Sequence, residues 1–469
     1  MKRLAALALA FLVACADMPT DPDPVRLTFP PMQRFAGESP GPAMRPNSEM
    51  ALDFVDLAFR MESGRTLPIL TRFEGPITVR VAGQLRQENL DDLSALLRRL
   101  RNEARIDIRL TNSADANIVI EAVPNRTLQR AAPNAACFVV PRVQSWAELR
   151  AARNTPTLNW ATLRQRDKAA IFLPSDVTAQ EIRDCLHEEL AQALGPLNDL
   201  YRLPDSVFND DNIHAVLTGF DMLILRAYYA PELRSGMTER EVANRLPGIL
   251  ARINPRGQRP GGTIPSATSR AWIDAMTVAL GDRMSEPRRR QSAARAVAIG
   301  QSLGWTGARE GFAHYAYGRL QIGNDATLAL GAFNAAGRAY GQNPNTSIHS
   351  AHIALQLAAF TLIARDAEAT IAITAPAIAI ARQHENAALM SLLMMFQAEA
   401  LDLQGDTDAG MALRLDSLGW ALYGFADRDE VIERLNEIAS LPPLLPPTAP
   451  RQAPRIHTLQ QVKGGMHGE

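Results

Sequence analysis

Residues 178–199 read Thr178-Ala-Gln-Glu181-Ile-Arg-Asp-Cys185-Leu-His187-Glu188-Glu189-Leu-Ala-Gln192-Ala-Leu-Gly195-Pro-Leu-Asn198-Asp199. Thr178 followed three residues later by Glu181 is a capping box and predicts a helix over 179–194. Gly195-Pro196 ends it, and a positive φ at Gly195 would turn the chain back toward the helix. Glu188 and Gln192 are i,i+4 neighbours on one face, and Glu189 points beside that face. His187 lies about 100° from Glu188 around the helix and is expected as a partly exposed residue.

His187-Glu188 opens the zinc-protease pattern HExxH, which needs a second His four positions on. That position is Ala191, so the pattern fails. Shifted by one residue, the segment resembles the metzincin pattern H-E-x-x-H-x-x-G-x-x-H-D. Glu188, Gln192 and Asn198 stand at the three His positions, Glu189 at the general base, Gly195 at the Gly and Asp199 at the Asp. Ser206 to Asp210 resembles the Met-turn, with Phe208 where the Met would sit. Leu217 to Asp221, leading into Tyr228-Tyr229, resembles the capped final helix of matrixin-type metalloproteases. The whole block is similar to DUF2927, a family of bacterial secreted proteins with the signature E-E-L-x-Q-x-L-G-x-x-N-D, here Glu188 to Asp199. A Phe-Asn-Asp segment (Phe208 to Asp210) and a Leu-Arg…Gly-Met ending (Leu225-Arg226 to Gly236-Met237) follow. The resemblance covers residues 60–240 and implies a zincin-like fold stripped of its zinc histidines. It brings no established activity.

Amide oxygens are weak zinc ligands, so tightly bound zinc is not expected. A harder divalent cation could accept Glu188, Gln192, Asn198 and Asp199, with Asp210 adding charge. With Glu189 as base, that set would make an atypical metallopeptidase-like hydrolase. Without a Lewis acid to activate water, Glu189 alone does not suffice. The same residues otherwise form a polar network holding the turn after the helix. That second outcome, with no cofactor, is the leading expectation. His214 follows the Phe208 segment and could approach the cleft.

The cysteine count is three. Lys2-Arg3, an apolar run over 4–13 and Leu12-Val-Ala-Cys15 resemble a bacterial lipoprotein signal, with Cys15 as the lipidated residue. This predicts a palmitate-bearing envelope protein; Ala16 after Cys15 favours the periplasm-facing outer membrane. Cys137 opens an expected strand and Cys185 sits in the signature helix. In an exported domain they are expected to form a disulfide. The alternative, a reactive thiol at Cys185 paired with His187, fails because i,i+2 residues do not face each other on a helix.

Working outward, alternating or apolar runs predict strands at 77–81, 105–110, 117–121, 137–140 and 170–173, and helices at 51–61 and about 93–100. The expected organisation is a signal region (1–15), a flexible tether (16–48), a zincin-like α+β domain (49–245), a Gly/Pro/Arg-rich linker (246–269), an all-α helical-repeat domain (270–442) and a flexible tail (443–469). In the helical part, Gly323-Asn-Asp325, Arg365-Asp366 and Gly405-Asp406 interrupt long helical runs about 40 residues apart. Small residues recur between them, as in a tetratricopeptide-like solenoid. The histidines of this region show no clustered spacing.

The chain has 469 residues, 49 Lys+Arg and 50 Asp+Glu, so it lacks the basic excess of a nucleic-acid binder. The expected function is an envelope lipoprotein that binds a protein or peptide partner through its helical repeats. Its membrane contact runs through the lipid anchor.

Overall fold

The computed structural model describes residues 29–37, 41–133, 135–261, 266–281, 283–425 and 427–441. The signal region with Cys15 and the 443–469 tail lie outside the described residues. The first region runs α1 (Asn47–Phe59), β1 (Ile77–Ala82), α2 (Gln87–Asn102), β2 (Ile108–Leu110), β3 (Ile118–Val123), α3 (Asn125–Ala131), β4 (Phe138–Pro141), α4 (Trp146–Ala152), β5 (Ala169–Pro174), α5 (Ala179–Leu194), α6 (Gly219–Tyr228) and α7 (Glu239–Ile253).

The strands form one sheet in the order β2-β1-β3-β5-β4. Every pairing is parallel except β4 against β5, where Phe138 lies opposite Phe172 and Pro141 opposite Ala169. Strand β5 is buried along its whole length, as a strand covered on both faces must be. Ala169, Ile171 and Leu173 face the main core with α1, α2, α5, α6 and α7. Ala170 and Phe172 face a smaller core under α3 and α4. Helix α5 has the predicted bounds and the predicted capping box.

The expected linker begins too early. Residues 246–253 continue α7, where Leu246, Ile249, Leu250 and Ile253 are buried at helical spacing despite Pro247. Nor is the expected tether all loose chain. Gln33 donates its backbone N–H to Gly419 O (2.9 Å) and its amide to Asp416 Oδ1 (2.6 Å). Phe35 stacks on Trp420 with ring centroids 4.6 Å apart.

The second region is all α: α8 (Arg270–Leu280), α9 (Glu286–Ser302), α10 (Ala308–Gln321), α11 (Ala326–Tyr340), α12 (Ser347–Ile363), α13 (Ala367–Gln383), α14 (Ala387–Gln404), α15 (Thr407–Gly424) and α16 (Arg428–Ala439). Consecutive helices pack on one another, and α12 also packs on α14. The predicted turns before α11, α13 and α15 carry Asp325, Asp366 and Asp406 as N-caps, each accepting from backbone N–H groups of the following helix. Segment Pro344–Ile363 is long and apolar enough to span a membrane, but 56% of its apolar window is buried inside the fold.

The two regions share a polar seam. Buried Arg183 on α5 pairs with buried Glu385 in the turn before α14. Gln180 Nε2 donates to Asn386 Oδ1 at 3.2 Å, and Tyr423 O–H donates to Asp92 at 2.7 Å. Tyr201 packs edge-on against Trp272 at 4.8 Å. His349 Nε2 meets Asp211 Oδ2 at 2.9 Å.

Histidines scattered along the sequence do cluster here. The His214 ring lies 5.8 Å from His349 and 5.5 Å from His384. Burial, followed by the neighbouring His214 and His349, pushes His384 down to about 3. Because its pKa is depressed in the folded protein, its neutral form carries stability that is intact above about pH 6.5 and lost as pH falls toward 3. Thermal melts at pH 7.5 and 5.0 should show His384→Gln losing less stability on acidification than the wild type, by on the order of 1–2 kcal/mol. Equal losses would show that His384 is accessible to protons in the native state.

Candidate functional site

The signature helix α5 ends against an arginine. The buried Arg166 guanidinium donates through Nη1 to Gln192 O (2.6 Å) and Ala193 O (2.7 Å), and through Nη2 to Gly195 O. A cation satisfying the last carbonyls of a helix also complements its dipole. Gly195 has φ −171°, so the expected positive φ is absent. What requires glycine is space, since a Cβ there would sit 2.9 Å from the Tyr228 ring.

Beyond Gly195 the chain is hung between two other segments. Leu197 N–H donates to Leu57 O (3.0 Å), and Leu200 N–H donates to Phe208 O (2.9 Å). Asn198 Nδ2 donates to Asp56 O (3.0 Å). Asp199 is thereby held between the end of α1 and the loop around residue 208. That loop hangs on Asp221, the N3 residue of the α6 capping box. Asp221 accepts from Ser206 Oγ (2.5 Å) and Val207 N–H (3.2 Å). Burial, outweighing these hydrogen bonds, raises the Asp221 carboxyl to about 6. Phe208 is fully buried, so it fills the space beneath the loop.

The signature residues part company. Glu189 is 0% exposed. Asn198 is spent on the α1 backbone. Gln192 Nε2 reaches Asp199 Oδ2 at 3.4 Å. His187, expected to be partly exposed, is buried, and its Nδ1 accepts the Leu217 N–H at 3.1 Å. Burial, then Arg183 and Arg99, hold it well below the usual imidazole range. His214 Nε2 meets Pro204 O at 2.8 Å. It lines an inter-region cavity of about 250 Å³ with Asp205, Phe220, Ser347 and His384.

Asp199 and Asp210 do converge, and they are joined by a residue the sequence did not suggest. Glu62, in the tight turn between Arg60 and Thr66, brings a carboxylate oxygen to the two aspartates, all within 4.8 Å of one another. This acidic cluster could coordinate a divalent ion. Nothing in the periodicity or motifs links Glu62 to Asp199; the link is made by the Leu197 and Asn198 bonds to α1. Cys137 and Cys185 form a disulfide that ties α5 to the start of β4.

Residues 47–248 match the family described as Protein of unknown function (DUF2927). No curated protein and no solved structure matches the chain.

Proposed function

We propose that this chain is a lipid-anchored envelope protein that binds a protein or peptide partner and has no hydrolytic centre. The observation carrying the non-catalytic part is the burial of Glu189, at 0% exposure. A general base must lie within hydrogen-bond reach of an attacking water, and this carboxylate lies inside the core. Gln192 and Asn198 serve the turn after α5, as in a polar network that outlived its metal ligands. A sheet with one antiparallel edge strand, followed by a signature helix and a buried Phe208 loop, supports the zincin-like reading. Helix pairs capped at Asp325, Asp366 and Asp406 support the tetratricopeptide-like one. Such arrays present extended surfaces to protein partners. The lipid anchor rests on Cys15 and the apolar run before it, and it implies residence in the envelope, facing the periplasm.

The test is to incubate the full chain with denatured casein and calcium, magnesium, manganese or zinc. The expected result is no turnover beyond that of Glu189→Gln. Cleavage that disappears in Glu189→Gln would establish the peptidase alternative instead. In cells, labelled palmitate should enter the wild type and not Cys15→Ser.

A further inference from the structure

Residues 29–35 read Phe29-Pro30-Pro31-Met32-Gln33-Arg34-Phe35. Two consecutive prolines favour the polyproline II form, which has three residues per turn and no internal hydrogen bonds. Phe29, Met32 and Phe35 recur at that period, and all three pack against the core of the helical region. Pro31 and Arg34, each one residue before an anchor, are exposed. The segment therefore lies as an extended ligand does, held by every third side chain.

The surface beneath it admits this approach. Gln33 binds α15 twice, through its backbone N–H to Gly419 O and its amide to Asp416 Oδ1. Gly419 leaves the room: a Cβ there would lie 2.9 Å from the Gln33 side chain and 3.2 Å from Pro31 O. Trp420 lies under Phe35, and Arg428 of α16 covers the Phe29 ring at 5.2 Å. The opposite wall belongs to the first region. Arg183 of α5 lies 5.7 Å from the Phe35 ring, and Asp91 of α2 pairs with Arg34 at 2.8 Å. The fit is incomplete, since all three anchors are only half-buried. Trp420 is 5% exposed, and its indole Nε1 meets no acceptor among the described residues. A buried indole N–H ordinarily finds one. An occupant that sets a carbonyl oxygen against it gains a hydrogen bond that residues 29–35 do not make.

We propose that this groove is a docking site for a partner's extended Pro-Pro peptide with large apolar side chains at every third position, and that residues 29–35 occupy it in cis until such a peptide displaces them. Aromatic-lined grooves take polyproline II peptides because the ligand is already extended and loses little entropy on binding. The groove deepens the binding function above and rests on it, adding the partner's chemistry and a site walled by both regions. A segment of the same chain competes at an effective concentration of about 1 mM. The cis occupant therefore sets a threshold that weak ligands do not pass.

The probe is a fluorescein-labelled peptide of residues 29–37, with anisotropy read on the full chain. Gln33→Ala/Phe35→Ala loosens the cis segment, leaves the groove intact, and should bind the peptide with Kd below about 100 µM. The wild type should bind at least about tenfold more weakly, because the cis segment competes at about 1 mM. Phe29→Ala/Met32→Ala, loosening the segment from its other end, repeats the test should the first variant fail to fold. Adding Asp416→Ala to either variant should weaken the peptide by about fivefold or more. No binding by either variant at about 1 mM peptide, equal binding by the wild type, or no effect of Asp416→Ala would each overturn the assignment. In parallel the wild type is offered a digest of casein. Binding there, with none of the 29–37 peptide by the loosened variants, would overturn the groove and spare the wider binding function; binding of neither would overturn both.

Discussion

Arg183→Ala is expected to destabilise the protein by about 3–5 kcal/mol, because it strands a buried carboxylate. Arg183 and Glu385 are 4% and 3% exposed, and Glu385 Oε1 has no hydrogen-bond donor among the described residues. Without the guanidinium, Glu385 must either stay charged in a dry seam or take up a proton. Arg183 also tempers two carboxyls on its own side, Asp184 and Asp92, both raised chiefly by burial. The cost should thus exceed that of an exposed pair, which rarely reaches 1 kcal/mol. Denaturant titration of the two single variants and the double variant Arg183→Ala/Glu385→Ala measures it. The double variant should recover part of the loss, since Glu385 is no longer stranded while Asp184 and Asp92 still lack the guanidinium. Single-variant costs under about 1 kcal/mol would mean that the seam is wet or open in solution.

Breaking the Cys137–Cys185 bridge is expected to cost about 4 kcal/mol in the transition of the first region. The bridge closes a sequence separation of 48 residues, and a loop of that length gains considerable entropy when cut in the unfolded chain. The enclosed stretch contains β4, α4 and β5. Of these, β4 is an edge strand paired only with β5, so it should fray first. Hydrogen exchange in Cys137→Ser/Cys185→Ser should accelerate in residues 138–141 and 146–152 before it does so in β3. Unchanged stability after reduction would mean that sheet packing alone holds the edge.

Much of this was legible in the chain. Helix α5 was readable because its signals are local: Thr178 and Glu181 cap it, and Gly195-Pro196 stops it. The strands were readable to within a few residues from apolar alternation. The turns before α11, α13 and α15 were readable because Gly and Asp there are local breaks in a helical pattern, and the structure adds that each Asp caps the helix that follows. The bridge could be expected because the signal-like N-terminus predicts export and, with Cys15 set aside, Cys137 before a strand and Cys185 on the signature helix are the two cysteines left. By contrast, the second half of α7, residues 246–253, was misread as linker because the stretch 246–269 is rich in Gly, Pro and Arg, whereas burial against the core outweighed the hydrogen bond lost at Pro247. His187 was misplaced because helical phase alone does not say how deeply a helix is sunk. Here α5 lies between the sheet and the seam, so nearly all its faces are covered.

The sequence by itself determined where the helices and strands lie, that three imidazoles are missing from the metzincin-like pattern, and that the chain divides into an α+β region and an all-α region. Those properties depend on residues within a few positions of one another. The tertiary structure decided that Glu189 is sealed in the core, that the Gln192 and Asn198 side chains tie down the segment after α5, and that Glu62 joins Asp199 and Asp210. It also decided that distant histidines meet at the seam. Burial and charge proximity act through space, and the backbone bonds that bring residue 62 to residue 199 leave no periodic trace in the chain.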